Sequence, residues 1–442
     1  MPDARLPAAA VETDAQLVRG IGLVALTANI VNTTIGASIF VLPGKMAAML
    51  GGAAPMAFLF CAIAQSIFVT CFAIAGSRVS LTGGLYAYVE VAFGRYVGFL
   101  AGLMNITTNL LGVSAVMNVL AGAAGSLSPI LATTAGRVII MLLVAAALAA
   151  VNVHGVRTGA RVVTAVTVIK VLPLLLFVAV GVTFIKPDAL AFSSATSSGS
   201  LGSAVLLLMF AFFGIESSLT PSGEVRNPAR TVPRAIYIAL SLTTGIYILI
   251  QLVAQGTLGV PRLANNTTAP LAEAAGVFLG NWGTTLLILG ATVSSIGYIP
   301  SDVLSAPRTL FAFGRDGVLP RLFAHVHARF RTPDFAIIFY ATIAFGLALS
   351  SSFEGLAVMA NVAALLLYLM CCAAAWELVR RNVQTEGKPF GSRTAARVFP
   401  PLGIIVIIWI LTHATRTEFG VLGAVLAVGS VLFWLRRVAR GN

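Results

Sequence analysis

Long apolar runs constrain this chain more than any motif does. A membrane-spanning helix needs about 20 largely apolar residues. Twelve segments answer to that: 21–49, 53–77, 95–125, 136–153, 162–185, 203–223, 233–258, 283–313, 334–351, 355–378, 399–414 and 416–437. Charged residues make up only 10% of the chain and the mean hydropathy is +0.96, whereas soluble domains carry about 25% charged residues. The expected fold class is therefore an all-α integral membrane protein with twelve transmembrane helices.

The net charge of +13 does not point to nucleic acid, because the basic residues do not form an aromatic-interleaved polar face. They sit in short gaps between apolar runs. With the N-terminus in the cytoplasm, only Lys45, Arg137, Lys186, Arg262 and Arg416 fall on the outer side, and Lys170 lies within a helix; the rest of the 28 Lys and Arg are cytoplasmic. Positively charged loops face the cytoplasm, so both termini are expected there, in a multi-pass protein of the cell membrane. No signal peptide is expected: Asp3, Glu12 and Asp14 precede the first apolar run, and no plain cleavage site follows it.

Cys61, Cys71, Cys371 and Cys372 all lie in apolar runs, and the adjacent pair is not a CxxC. They read as packing residues. His154, His325, His327 and His413 fall at helix ends or in connections. No cofactor or metal is indicated, and no disulfide-linked accessory subunit is expected. Asn265-Asn266-Thr267-Thr268 matches two overlapping glycosylation acceptors, a pattern short enough to arise by chance.

Two apolar runs are interrupted at their centres. The first reads TTIGAS over Thr33, Thr34, Ile35, Gly36, Ala37 and Ser38, and the sixth carries Gly214, Glu216, Ser217 and Ser218. Small residues also serve close helix packing in membranes. Each patch, however, lies in the opening helix of a five-helix block, and matched interruptions point to inverted repeats around a transport site. Irregular backbone is tolerated there only where it is buried or lines a cavity. Freed N–H groups suit a carboxylate, and freed carbonyls suit an ammonium.

At these residues the chain resembles the amino acid–polyamine–organocation transporter family. TTIGASIFVLPG resembles the family's first-helix signature, SLTGGLYAYVEVAFG its cytoplasmic segment after helix two, FFGIESSLTPSGEVRNPARTVPRAI its sixth-helix motif, and SAPRTLFAFGRDGVLP the end of its eighth helix. The resemblance implies a 5+5 inverted repeat with broken helices 1 and 6, plus two extra helices. The repeats would span 21–185 and 203–378, flanked by a cytoplasmic tail over 1–20 and by the last two helices and C-terminal tail over 399–442. It further implies alternating access and no enzyme chemistry. The substrate carboxylate would meet N–H groups of Gly36, Ala37 and Ser38. The ammonium would meet carbonyls near Thr33 and Thr34, and near Phe210 and Phe213. Phe210 would be an aromatic gate. Ser38 replaces the usual second glycine of the signature and narrows the approach.

Three ionisable residues fall inside the membrane, where each charge costs roughly 2.5–3.5 kcal/mol on insertion scales. By resemblance, Lys170 stands where sodium-dependent relatives hold sodium; it is either a proton carrier or a fixed cation. Glu216 ties the broken sixth helix to its neighbours or takes part in proton coupling. Asp302, six residues before Arg308, lies about 9 Å deeper along a helix, either facing substrate or paired with a cytoplasmic arginine. Asn105 and Asn109 share a helical face and contact substrate or bridge helices, with bridging expected for one of them.

The expected function is a sodium-independent amino acid permease, proton-coupled or exchanging, working on small-molecule amino acids in membrane lipid. A carrier or antiporter of cationic amino acids or polyamines is the alternative. A channel or a transporter-like sensor is more remote, because the polar residues cluster at two half-way breaks and the tails are short.

Overall fold

The computed structural model describes residues 22–79, 85–126, 128–154, 160–190, 198–215, 225, 228–266, 268–315, 317–383 and 390–440. Side chains within 160–168, 198–200, 228–229, 298–305 and 437–440 lie outside the description. The regular elements formed by the described residues are all helical. They are α1 (Leu23–Thr34), α2 (Leu42–Leu50), α3 (Ala54–Gly76), α4 (Leu85–Phe93), α5 (Arg95–Gly125), α6 (Thr134–His154) and α7 (Ala160–Gly181). Then come α8 (Ser198–Leu208), α9 (Pro228–Leu258), α10 (Pro270–Arg315), α11 (Asp334–Ser350), α12 (Phe353–Arg380), α13 (Arg393–Leu411) and α14 (Arg416–Arg440). Short helical turns, among them Ala37–Phe40 and Met209–Phe212, lie between them.

Among the described residues, eight helices are long and apolar enough to cross a membrane, so this is a multi-pass membrane protein. For three of the four remaining apolar runs the difference has a physical reason. α1 has 12 residues, or about 18 Å at 1.5 Å per residue, far short of the roughly 30 Å hydrocarbon core. α8 has 11 residues. Each is one part of an interrupted run. α11, at 17 residues, falls just below a full span. In α10 the backbone at Gly280 turns to φ 61°, which sets the segment from Pro270 apart from the long helix after it.

α5 and α12 form the centre. They pack on each other, α5 also takes α10, α4 and α11, and α12 takes α13, α4 and α3. Two-thirds (67%) of the spanning window of α5 is buried, against 11% for α14 at the edge. Exposed Ile405, Ile408, Val428, Val431 and Leu435 on α13 and α14 are apolar because their solvent is lipid. The interrupted helices sit inside this frame. α1 packs on α9, α8 on α2, α3 and α12, and the Ala37–Phe40 turn on α10 and α5. At Gly290, α10 closes on Pro173 of α7 and on Phe40, either of which would lie 3.3 Å from an added Cβ.

Candidate functional site

Both interruptions fall at the patches marked out in the sequence. α1 ends at Thr34; Ile35 returns its N–H to the Val31 carbonyl at 2.9 Å, and Gly36 is extended at φ −100°, ψ −167°. Three consecutive β-branched residues, Thr33 to Ile35, weaken the helix locally. Helix resumes at α2, with Pro43 in the first turn, where no N–H is needed. In the second run, α8 tightens into the Met209–Phe212 turn, Phe213 is extended at φ −66°, ψ 155°, and Gly214 adopts φ +99°.

The two breaks meet. The Thr33 hydroxyl lies 3.1 Å from the Gly214 carbonyl oxygen, and its single proton is shared with the Asn29 and Ile30 carbonyls of its own helix, at 3.1 Å and 3.0 Å. A Cβ on Gly214 would stand 2.6 Å from the Thr33 carbonyl oxygen and 2.8 Å from its carbon. The left-handed backbone and the close approach both require glycine here.

A helix end leaves its last four carbonyls without helical partners, and buried ones must be satisfied. At the end of α1, Ile35 N–H serves Val31, the Lys170 ammonium serves Asn32, and the Tyr247 hydroxyl serves Thr34 at 3.0 Å. No described residue donates to the Thr33 carbonyl. At the end of α8, the Cys61 thiol serves Val205 at 3.6 Å. The Asn361 amide serves Leu206 at 2.5 Å and Leu207 at 3.1 Å. One turn on, the Tyr247 hydroxyl lies 3.1 Å from the Ala211 carbonyl. Its single proton is thus shared between a carbonyl of each interrupted run.

Tyr247 is fully buried, so its loss leaves backbone groups of both breaks without partners. Such groups cost about 1–3 kcal/mol each. Tyr247→Phe keeps the ring contacts with Phe58 and Phe212 and removes only the hydroxyl. A clear fall in melting temperature of the purified protein is the expected result; an unchanged melt would show that the hydroxyl carries no structural weight.

Of the residues singled out in the sequence, Thr33 to Ser38, Phe213 and Gly214 come together at the breaks, and Lys170, buried at 4% exposure, reaches them through Asn32. Phe210 is buried, with its ring centroid 5.5 Å from Phe213 and 5.8 Å from Phe353. Asn105 and Asn109 lie half-buried on α5, and neither amide hydrogen-bonds to a described residue, so the helix bridge expected of one is not found there. Asp302 falls within the helical backbone of α10, but its side chain lies outside the described residues, as does Glu216 altogether. Sequence reasoning missed Tyr247, Asn361 and Cys61. The signal available was polar residues inside apolar runs, above all Tyr247, Gln251 and Gln255 at helical spacing on α9, which a search for charges passes over.

A family model described as amino acid permease matches residues 21–433 of this chain. The chain is 29% identical over 403 residues to the serine/threonine exchanger SteT of Bacillus subtilis, covering 89% of this chain and 90% of that protein. It is 27% identical over 443 residues to the methylthioribose transporter of the same organism, with 95% and 93% covered. It is 24% identical over 445 residues to that organism's branched-chain amino acid permease BcaP, with 97% and 95% covered.

Proposed function

Because this chain belongs to the amino acid permease family, we propose that the junction of its two interrupted helices is where an amino acid is held during transport. The observation that carries this is the contact between Thr33 and Gly214. It gathers two helix ends and leaves the Thr33 carbonyl facing the second break with no donor among the described residues. An α-ammonium supplies that donor. The carboxylate takes the N–H groups of Gly36, Ala37 and Ser38, at the start of the resumed helix where N–H groups lack helical partners. Phe210, over the Phe213 ring, covers the site. Backbone alone reads the zwitterion, so the side chain of the substrate is sorted by whatever lines the rest of the cavity. This fits relatives of similar identity whose names cover hydroxylated and branched-chain amino acids; methylthioribose, named for another relative, has neither an ammonium nor a carboxylate and would need other contacts.

The finer architecture proposed is twelve transmembrane helices, the repeats spanning 21–185 and 203–378, with both termini cytoplasmic in the cell membrane. The distribution of lysine and arginine supports this orientation. Lys170 supplies a tethered ammonium at the Asn32 carbonyl, where a free cation would otherwise be needed, so transport is sodium-independent, and coupling is to protons or to exchange.

The test is thermal stability of the purified protein against amino acids and amines, without sodium and at two pH values. A ligand that binds only the folded state stabilises it by RT ln(1 + [L]/Kd), about 2.7 kcal/mol at one hundred times Kd. Small neutral amino acids are expected to raise the melt. If only lysine, arginine, ornithine or diamines do so, Asp302 belongs to the site and the chain is a carrier of cationic substrates. If none does so, the backbone-held zwitterion is wrong.

A further inference from the structure

Three contacts converge on the first turns of α12, and each reaches an interrupted run. Lys45 of α2 forms an ion pair with Glu354, the two side chains being 18% and 34% exposed. The Phe353 ring meets Phe210 edge-on at 5.8 Å. Asn361, wholly buried, holds the carbonyls of Leu206 and Leu207. Residues 353, 354 and 361 are seven and eight positions apart and so share one helix face. One face of α12 therefore grips both interrupted runs on the same side of their breaks: α2 follows the first break and α8 precedes the second.

The two sides of the first break are unlike. Residues 37–44 are all buried, and Gly44 lies under the 260–270 connection, where an added Cβ would stand 2.5 Å from the Asn266 carbonyl oxygen and 3.1 Å from that of Leu263. On the other side, α1 exposes Val24, Ala25, Ala28 and Asn29, with Asn32 and Thr33 half-exposed. Next to the break that stripe is small and polar, Ala28, Asn29, Asn32 and Thr33, unlike the isoleucines and leucines that α13 and α14 turn to lipid. Among the described residues the site is shut toward α2 and less covered toward the N-terminal half of α1.

We infer that Lys45, Glu354 and Asn361 form a gate that shuts the α2 side of the site, and that the Lys45–Glu354 pair is the part that opens. The inference rests on the transport reading above, in which the α2 side must open once per cycle. The chemistry suits the two roles. Asn361 satisfies buried carbonyls that have nowhere else to turn, so it stays engaged. The ion pair is shielded enough for its attraction to exceed that of a surface pair, yet close enough to water for both charges to be hydrated on separation. Glu354 is also held in place by its helix: it lies in the first turn of α12, behind the Ser352 cap that accepts the Gly355 N–H at 3.3 Å. A carboxylate is favoured at that end of a helix.

The test reads opening without any substrate. Val41, 6% exposed, lies between the break and Lys45, and Val41→Cys reports access from the α2 side by its rate of labelling with N-ethylmaleimide in detergent. That reagent is uncharged, so altered charge does not attract it. The four native cysteines are buried, and the protein without Val41→Cys gives their background. Glu354→Gln and Lys45→Met each leave one half-buried charge unpaired in the shut form. Each is expected to speed labelling about tenfold, the effect of 1.4 kcal/mol on an equilibrium. Exchanging the two charges, Lys45→Glu with Glu354→Lys, is expected to slow labelling well below either single variant, short of the native rate because a cation is disfavoured in the first turn of α12. Slow labelling in both single variants, with melts showing them folded, overturns the gate. Labelling of the exchanged variant as fast as that of the single variants assigns the effect to packing and overturns the ion pair's role. Neither result depends on whether the panel of amino acids finds a ligand.

Discussion

Gly214→Ala is expected to abolish transport and to destabilise the protein by about 1–3 kcal/mol, the usual cost of holding a residue other than glycine in such a backbone conformation. Two effects act together. At φ +99° an L side chain is strained whatever space surrounds it. The space is also absent, since the new methyl would stand 2.6 Å from the Thr33 carbonyl oxygen. A backbone oxygen cannot rotate away, so one break must shift relative to the other, and the 3.1 Å bond from the Thr33 hydroxyl to the Gly214 carbonyl lengthens with it. Gly245→Ala is the control. That glycine lies within α9 and an added Cβ there meets nothing within 4 Å, so alanine should be neutral or stabilising by roughly 0.5–1 kcal/mol. The measurements are the melting temperature and uptake into proteoliposomes of the amino acid that shifts the melt most. Wild-type uptake by Gly214→Ala would show that the close approach is not needed, and the site at the two breaks would have to be abandoned.

Much of this was legible in the sequence because a membrane removes options. Apolar runs of about 20 residues can only be helices there, and α5 begins and ends at the residues where its run does, Arg95 and Gly125. The breaks were legible for the opposite reason: TTIGAS and the glycine at 214 are poor helix formers in an environment that makes unpaired backbone costly. What periodicity could not supply is which groups satisfy the freed backbone. Tyr247 lies more than 200 residues from Thr34, and Asn361 more than 150 from Leu206. Such pairs follow from how the helices cross, which the pattern of each run leaves open. A neutral polar residue in an apolar run is a weak signal by itself, because serine and threonine there often bond their own helix, as Thr108 does with Met104. Asparagine, glutamine and tyrosine reach further, and Tyr247, Gln251, Gln255 and Asn361 all find partners on other segments. The counted spans show the same limit from the other side. α1 and α8 are too short to cross alone, and only their meeting at Thr33 and Gly214 makes them parts of one site.

Lys170→Met should reduce sodium-independent transport about 10- to 100-fold, the effect of losing a charged hydrogen bond of roughly 1.5–3 kcal/mol. Methionine keeps the length and apolar stem of lysine while removing the ammonium. In the native protein that ammonium bonds the Asn32 carbonyl, the third from the end of α1. Asn32 immediately precedes Thr33, whose carbonyl is the proposed seat of the substrate ammonium, so a carbonyl left without its partner disturbs the next peptide along. Burial makes the loss costly, because water does not readily replace the missing donor at a side chain that is 4% exposed. Two further readings separate the roles open to this lysine. If it is a fixed cation only, transport by Lys170→Met is weakened equally at acidic and neutral pH. If it carries the coupled proton, the variant also loses the acceleration by an inward proton gradient, while exchange of labelled for unlabelled substrate survives better than net uptake. Uptake and exchange measured in the same proteoliposomes, with and without a pH gradient, distinguish these. Full activity without the ammonium would mean that the Asn32 carbonyl needs no cation, and the sodium-independent reading would lose its support.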